Sequence, residues 1–237
     1  MNNKIKLFRI CFRHHDFNNE KENEFLYYYQ QISFFLITEL NPYLNKKIKH
    51  LIINFGTEKI WSKFYKNDPL PILHWYRNVG EFSGLFDYDH FNQLENSAKL
   101  QYVLIETCHA LEQLAKLSNR EDFHKAVKNV FLKVKDLKKI NFSYIVFKKD
   151  LEIAGVEYKS LVKFVFEDKI KIFLEFKLIS GKTKSFLIST YKYGYIEWLV
   201  TAWKNIVVKD NVLIVSGSRE LDELPFKISL DELRKDN

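Results

Sequence analysis

The spacing of apolar residues changes from a helical period to a strand period near residue 140, and this change restricts the fold more than any other feature. Between residues 100 and 134 apolar side chains recur every three or four positions, as on one face of a helix. From Ile140 onward they alternate with polar side chains, as on a half-buried strand. The sequence therefore predicts an α+β protein with regions 1–139 and 140–237, which form two domains or one continuous domain.

A β-α-β unit is predicted at the start of the chain. Residues 4–13 have the pattern of a strand with Ile5, Leu7 and Cys11 on its apolar face, and the apolar run at 50–55 predicts a second, buried strand. Between them, apolar residues at helical spacing predict a helix that ends before Pro42. These residues are Phe25, Tyr28, Tyr29, Ile32, Phe35, Leu36 and Leu40.

Two further helices are predicted to form a helical hairpin in the middle of the chain. Ser118 and Glu121 have the S-x-x-E spacing of a capping box and are predicted to start the second helix. The apolar face of the first helix carries Leu100, Leu104, Cys108, Leu111 and Ala115. That of the second carries Phe123, Val127, Val130, Val134 and Leu137.

The C-terminal region is predicted to be an antiparallel β-meander that ends in a short helix. Alternating segments at 142–146, 162–166 and 170–178 are separated by turn-forming residues, and residues 212–215 form a later strand. Residues 195–204 fit a helix or a strand equally well. Ser229 and Glu232 repeat the capping-box spacing and predict the final helix.

Cysteine use and hydropathy favour the cytoplasm. Cys11 and Cys108 are far apart and show no CxxC spacing, so no disulfide framework is expected. The N-terminus is a poor signal peptide because Lys4, Lys6 and Arg9 interrupt its apolar residues. No stretch is apolar over the length that a membrane helix needs, so no membrane partner is expected.

The net charge of +7 comes almost entirely from lysine, which supplies 31 of the 37 basic residues. Arginine, the residue favoured for phosphate and base contacts, is scarce, so biased codon usage explains much of the excess. The basicity is nevertheless regional, because residues 125–192 hold 16 lysines against 7 acids. An alternative function is therefore nucleic-acid binding through the lysines of the second hairpin helix. These are Lys125, Lys128, Lys135, Lys138 and Lys139.

Two combinations of residues resemble catalytic or metal sites, but each has a simpler interpretation. Asp168, Glu175 and Lys177 have the residue types of a metal-dependent nuclease core, yet cross-strand charge pairing explains them equally well. Glu106 and His109 have the spacing of di-iron ligands, but a second such pair is missing from the sequence. No cofactor is therefore predicted, and the chain is expected not to be an enzyme.

The segment 72–90 is the strongest candidate for a binding surface. It concentrates residue types that dominate protein interfaces, although some of them are expected to anchor a long connection to the core. The candidate partner-binding residues are His74, Trp75, Tyr76, Arg77 and Tyr88. The sequence thus favours a protein-binding function, of which the best candidate is an immunity or inhibitor protein that neutralises a toxin or effector.

Overall fold

A computed structural model of the chain describes residues 5–13, 19–65, 68–134, 142–167, 169–178, 181–191, 202–218 and 221–234. Over these residues the fold is α+β, which confirms the predicted class. The chain divides into two units, Met1–Asn141 and Phe142–Asn237. None of the described helices is long and apolar enough to cross a membrane.

A four-stranded sheet forms the centre of the N-terminal unit. Its strands are β1 (Ile5–Arg13), β2 (Ile48–Gly56), β3 (Ile72–Tyr76) and β4 (Val79–Leu85). Their order is β1-β2-β4-β3; β1, β2 and β4 run parallel, and β3 pairs antiparallel with β4 at one edge. The predicted β-α-β unit is therefore confirmed, and its two strands pair directly.

The buried face of β1 differs from the predicted one. Phe8, Ile10 and Phe12 are buried, whereas Cys11 on the opposite face is partly exposed. Phe12 contacts Phe25 at a centroid distance of 5.2 Å, within an aromatic cluster between sheet and helices. Both faces of this strand carry apolar residues in the sequence, and the face with the larger aromatic side chains is the one that is buried.

Helices cover one face of this sheet. Two of them, at Asn96–Leu117 and Glu121–Val134, form the predicted hairpin. Cys108, Leu111, Phe123 and Val127 lie in its buried surface. The helices of this unit are α1 (Asn19–Leu40), α2 (Glu58–Phe64), α3 (Tyr88–Gln93), α4 (Asn96–Leu117) and α5 (Glu121–Val134). A short 3-10 helix (Asn41–Tyr43) containing Pro42 follows α1, as the position of that proline predicted.

The turn between α4 and α5 is stabilised differently from the predicted capping box. Ser118 ends α4, and its hydroxyl accepts a hydrogen bond from the backbone N–H of Arg120 rather than from Glu121. Asp122 takes the larger role, since its carboxylate accepts the backbone N–H groups of Asn45 at 2.7 Å and Lys46 at 3.3 Å. Arg120 donates to Asp122 at 3.2 Å and to the carbonyl of Lys46 at 2.9 Å, so the turn holds the loop before β2.

The C-terminal unit contains the predicted antiparallel meander and a second sheet. The meander consists of β5 (Ser143–Ile153), β6 (Val156–Phe166), β7 (Ile170–Leu178) and β8 (Thr183–Tyr191), paired in that order. The second sheet has the order β11-β10-β9 and comprises β9 (Trp203–Lys209), β10 (Val212–Gly217) and β11 (Phe226–Ser229). Val162, Phe164, Ile172 and Leu174 are buried on one face of the meander, as their alternation predicted.

The predicted C-terminal helix is present as α6 (Leu230–Arg234). The Ser229 hydroxyl accepts the backbone N–H of Asp231 at 3.2 Å, so this serine does cap its helix. Most of the ambiguous segment 195–204 lies outside the described residues, and β9 begins at Trp203.

Candidate protein-binding surface at the β3–β4 hairpin

The segment that was expected to be an irregular connection begins with a β-hairpin. A two-residue turn, Arg77–Asn78, joins β3 to β4, with Tyr76 opposite Val79 in the register. The Asn78 carbonyl accepts the backbone N–H groups of Lys49 at 2.7 Å and His50 at 3.3 Å. The tip of the hairpin is therefore fixed to the start of β2.

Trp75 anchors the hairpin to the helices. Its ring lies 5.4 Å from that of Phe123 on α5. The indole also lies directly against Gly80 of β4, where an added Cβ atom would come within 2.2 Å of Trp75 Cζ3. Gly80 thus makes room for the indole, so the half-buried Trp75 has a structural role. Its predicted partner-binding role stays a prediction.

Tyr88 is also part of the core and not of a binding surface. Only 7% of it is exposed, and its ring stacks on Phe12 at 5.2 Å. Burial raises its pKa, with further contributions from Glu24 and Asp89. The preceding Asp87 caps α3 by accepting the backbone N–H of His90 at 2.9 Å.

His74, Tyr76 and Arg77 remain exposed and form what we call the hairpin surface. His74 and Tyr76 lie on the strand face opposite Trp75, because side chains alternate along β3. Tyr76 is 67% exposed, and the Arg77 guanidinium carbon lies 5.1 Å from the centre of its ring. Arg77 has a φ of 53°, a left-handed conformation that is uncommon for residues other than glycine. Such conformations cluster at functional sites.

Two lysines missed by the sequence analysis lie beside this surface. Lys46 and Lys49 are exposed in the loop before β2 and at the start of β2, and with Arg77 they form what we call the basic tip. The Asn78–Lys49 hydrogen bond and the Arg120–Asp122 interaction fix the backbone here. Within the described part of the chain, none of these three cations forms an ion pair.

The nearest carboxylate on the hairpin is engaged within its own sheet. Glu81 lies opposite His74 in the register, and its Oε1 accepts a hydrogen bond from Asn54 Nδ2 at 2.9 Å. The same amide nitrogen lies 3.4 Å from the Ser83 hydroxyl. Glu81 is therefore held on β4 by β2, and the basic tip keeps its positive charge available for an external anion.

Of the two nuclease-like residues that are described, charge pairing accounts for Glu175 but not for Lys177. Glu175 on β7 accepts a hydrogen bond from Lys163 on β6 at 3.0 Å, as the simpler interpretation predicted. Lys177 is exposed and lies opposite Lys159 in the register. Asp168 lies outside the described residues.

The candidate metal ligands Glu106 and His109 form a single pair on α4, with a nitrogen–oxygen distance of 3.6 Å. The His109 ring lies 5.4 Å from that of Phe131. No group of three or more potential ligands occurs among the described residues. The adjacent Cys108 is buried, and burial raises the pKa of its thiol to about 12, with a smaller contribution from Glu112. This thiol is therefore a poor nucleophile at neutral pH.

The lysines proposed for nucleic-acid binding fall into two groups. Lys125 and Lys128 are exposed on α5, whereas Lys135, Lys138 and Lys139 lie outside the described residues. Lys133, on the same helix, contacts Glu39 of α1, and this hydrogen bond raises the pKa of its ammonium group.

Comparisons of the chain with protein-family models, with curated proteins and with solved structures find no match.

Proposed function

We propose that this chain acts by binding another protein and that it does so through the hairpin surface. The observation that carries the proposal is an exposed tyrosine and arginine at a two-residue turn whose Asn78 carbonyl is hydrogen-bonded to the start of β2. Tyrosine and arginine are over-represented among residues that dominate binding energy. A rigid support lowers the entropy that is lost when a partner binds.

Among protein-binding functions we favour an inhibitor or immunity protein that neutralises a toxin or effector. Such a protein needs a complementary surface but no reaction centre. The basic tip adds a condition, since the partner must be acidic, or at least neutral, where it meets Arg77 and Lys49.

Affinity capture from the native host tests this function. The tagged chain is expected to retain one protein in a stoichiometric complex that survives size-exclusion chromatography. Tyr76→Ala together with Arg77→Ala should abolish this complex, because both changes remove exposed contacts without disturbing the core. Phe64→Ala is the matched control, since Phe64 is an exposed aromatic residue on α2, at 68% against 67% for Tyr76.

The inhibitor role has its own readout. The captured protein should harm host cells when it is expressed alone, and co-expression of the wild-type chain should restore growth while the double variant should not. Recovery of only nucleic acid, or capture that Phe64→Ala weakens as much as the double variant does, would contradict the proposed function.

A second candidate function is nucleic-acid binding by α5. It is favoured by Lys125 and Lys128, which are exposed and form no ion pair with described residues. Binding by these lysines to duplex DNA should weaken linearly in a plot of log affinity against log salt concentration. Replacing both by glutamine should lower that slope, whereas an unchanged slope would remove this candidate.

A further inference from the structure

We propose that the open edge of β3 takes up an extended segment of the partner protein as an additional strand, and that Arg77 binds an acidic side chain of that segment. The inference rests on the proposed protein-binding function and specifies the mode of binding and the chemistry of the partner.

The edge of β3 offers unpaired backbone groups. Among the described residues β3 pairs only with β4, and no described strand lies along its other edge. The two-residue turn makes Tyr76 and Val79 a hydrogen-bonded pair, and such pairs alternate along an antiparallel ladder. The backbone N–H and C=O groups of Leu73 and Trp75 therefore point towards the open edge. An added strand satisfies these groups by main-chain hydrogen bonds.

Charge defines which strand fits. Arg77 lies at the turn end of this edge, and no described carboxylate pairs with it. An incoming strand that places glutamate or aspartate next to Tyr76 brings that carboxylate to Arg77. The guanidinium is already positioned over the Tyr76 ring at 5.1 Å, so little side-chain freedom is lost on binding.

A polypeptide fits this edge better than the two other candidate occupants. Nucleic acid supplies phosphates for the basic tip but no backbone ladder for Leu73 and Trp75. If a second copy of the chain paired antiparallel about His74, Arg77 would lie beside Pro71 of that copy. Proline has no carboxylate to bind Arg77 and no backbone N–H to bond the strand.

Amide hydrogen exchange measured by NMR on the full chain tests the binding mode with synthetic peptides as probes. The acidic probe is a threonine-capped peptide of alternating valine and glutamate. One control replaces each glutamate by lysine, and another carries proline at its centre. The acidic probe is expected to slow exchange of the Leu73 and Trp75 amides about tenfold or more, while neither control does so.

Charge-reversal variants then test whether binding of the acidic probe depends on the charge of Arg77. Arg77→Glu should weaken binding of the acidic probe about tenfold, whereas Lys177→Glu, an exposed lysine of the meander, should leave it unchanged within about twofold. Three results would overturn the inference: protection by the lysine peptide as well, protection in the free chain that grows with its concentration, or equal protection by duplex DNA.

If host capture depends on Tyr76 but Leu73 and Trp75 stay unprotected, the binding mode is wrong and the function stands. If the acidic probe protects them but no host protein is captured, the function fails.

Discussion

The two β-regions of the molecule differ in what their cations contact. In the meander, Lys163 pairs with Glu175 at 3.0 Å, and Lys171 contacts Glu167, four residues earlier in the chain. At the β3–β4 hairpin and the adjoining start of β2, Arg77, Lys46 and Lys49 have no described carboxylate partner in an ion pair. Net charge alone would instead favour the lysine-rich region as the surface with unpaired cations, because residues 125–192 carry +9 while the remainder carries −2.

This difference shows that a local charge count does not locate a binding surface. On adjacent strands of the meander, Lys163 and Glu175 are diagonal neighbours that form an ion pair, whereas Lys159 lies opposite Lys177. The basic tip instead combines residues from two parts of a nearly neutral region, which the fold brings together. We therefore propose the hairpin surface, rather than the lysine-rich stretch, as the binding surface.

The largest effect is expected at the interaction that positions the loop of the basic tip. Asp122→Ala leaves Arg120, whose side chain is only 13% exposed, without its carboxylate and removes the acceptor of two backbone N–H groups. We expect a loss of about 3 kcal/mol in the free energy of unfolding, measured by urea denaturation. Glu121→Ala, at the exposed neighbouring acid, is the control and should change it by less than about 0.5 kcal/mol. Equal losses in the two variants would show that the loop is held by other contacts.

The second-largest effect on the free energy of unfolding distinguishes the two faces of β3. Trp75→Ala should lower the free energy of unfolding by about 2 kcal/mol, because the indole packs against Phe123 and Gly80. Tyr76→Ala should lower it by less than about 0.5 kcal/mol, because that ring is largely exposed. Thermal or urea unfolding measures both. A larger loss from Tyr76→Ala would mean that the tyrosine supports the fold and is not free to bind a partner.

The sequence predicted the elements with a regular apolar pattern but not the β3–β4 hairpin. The helices α1, α4 and α5 and the meander were predictable because their apolar residues follow one period over many positions. The hairpin was not, because Pro71 stands directly before β3 and Gly80 and Gly84 interrupt the alternation of β4. Gly80 is where the indole of Trp75 lies against the neighbouring strand, a contact between strands that no local pattern reveals.

The candidate site was predictable only in part. The sequence predicted binding residues at 72–90, and the aromatic residues there differ in exposure: Tyr88 is buried, Trp75 is half-buried against Phe123, and Tyr76 is exposed. Lys46 and Lys49 were missed because their proximity to Arg77 depends on the parallel pairing of β2 with β4. A lysine-rich segment immediately before a buried strand was the only local signal of these residues.

A smaller, pH-dependent effect is expected in the C-terminal unit. Burial alone would raise the pKa of Glu223, but hydrogen bonds from Ser189 at 2.5 Å and Tyr191 at 2.7 Å outweigh it and hold this pKa below its ordinary value of 4.5. The stabilisation by Glu223 is therefore fully present above the ordinary pKa and is lost as the pH falls through the lowered one.

Glu223→Gln should consequently cost about 1 kcal/mol in the free energy of unfolding at pH 7 and less at lower pH. Urea denaturation between neutral and acidic pH measures this, with Asp222→Asn as the control at the exposed neighbouring acid. A loss from Glu223→Gln that stays constant with pH would contradict the assigned hydrogen bonds.

The smallest effect is expected from the paired lysines of the meander. A double-mutant cycle with Lys163→Ala and Glu175→Ala should give a coupling energy of about 0.5 kcal/mol for this partly exposed pair. Unfolding in urea with and without added salt provides the values. A coupling near zero would mean that the meander lysines are as free as those of the basic tip and would remove the contrast between the two regions.

The most direct test of the hairpin as the functional surface is the affinity of the captured host protein for three forms of the chain. These are the wild type, Arg77→Glu at the hairpin and Lys177→Glu in the meander, compared at one salt concentration. We predict at least about tenfold weaker binding for Arg77→Glu and a change within about twofold for Lys177→Glu. The reverse result, with Lys177→Glu impaired and Arg77→Glu unaffected, would place the partner on the lysine-rich region and contradict the assignment.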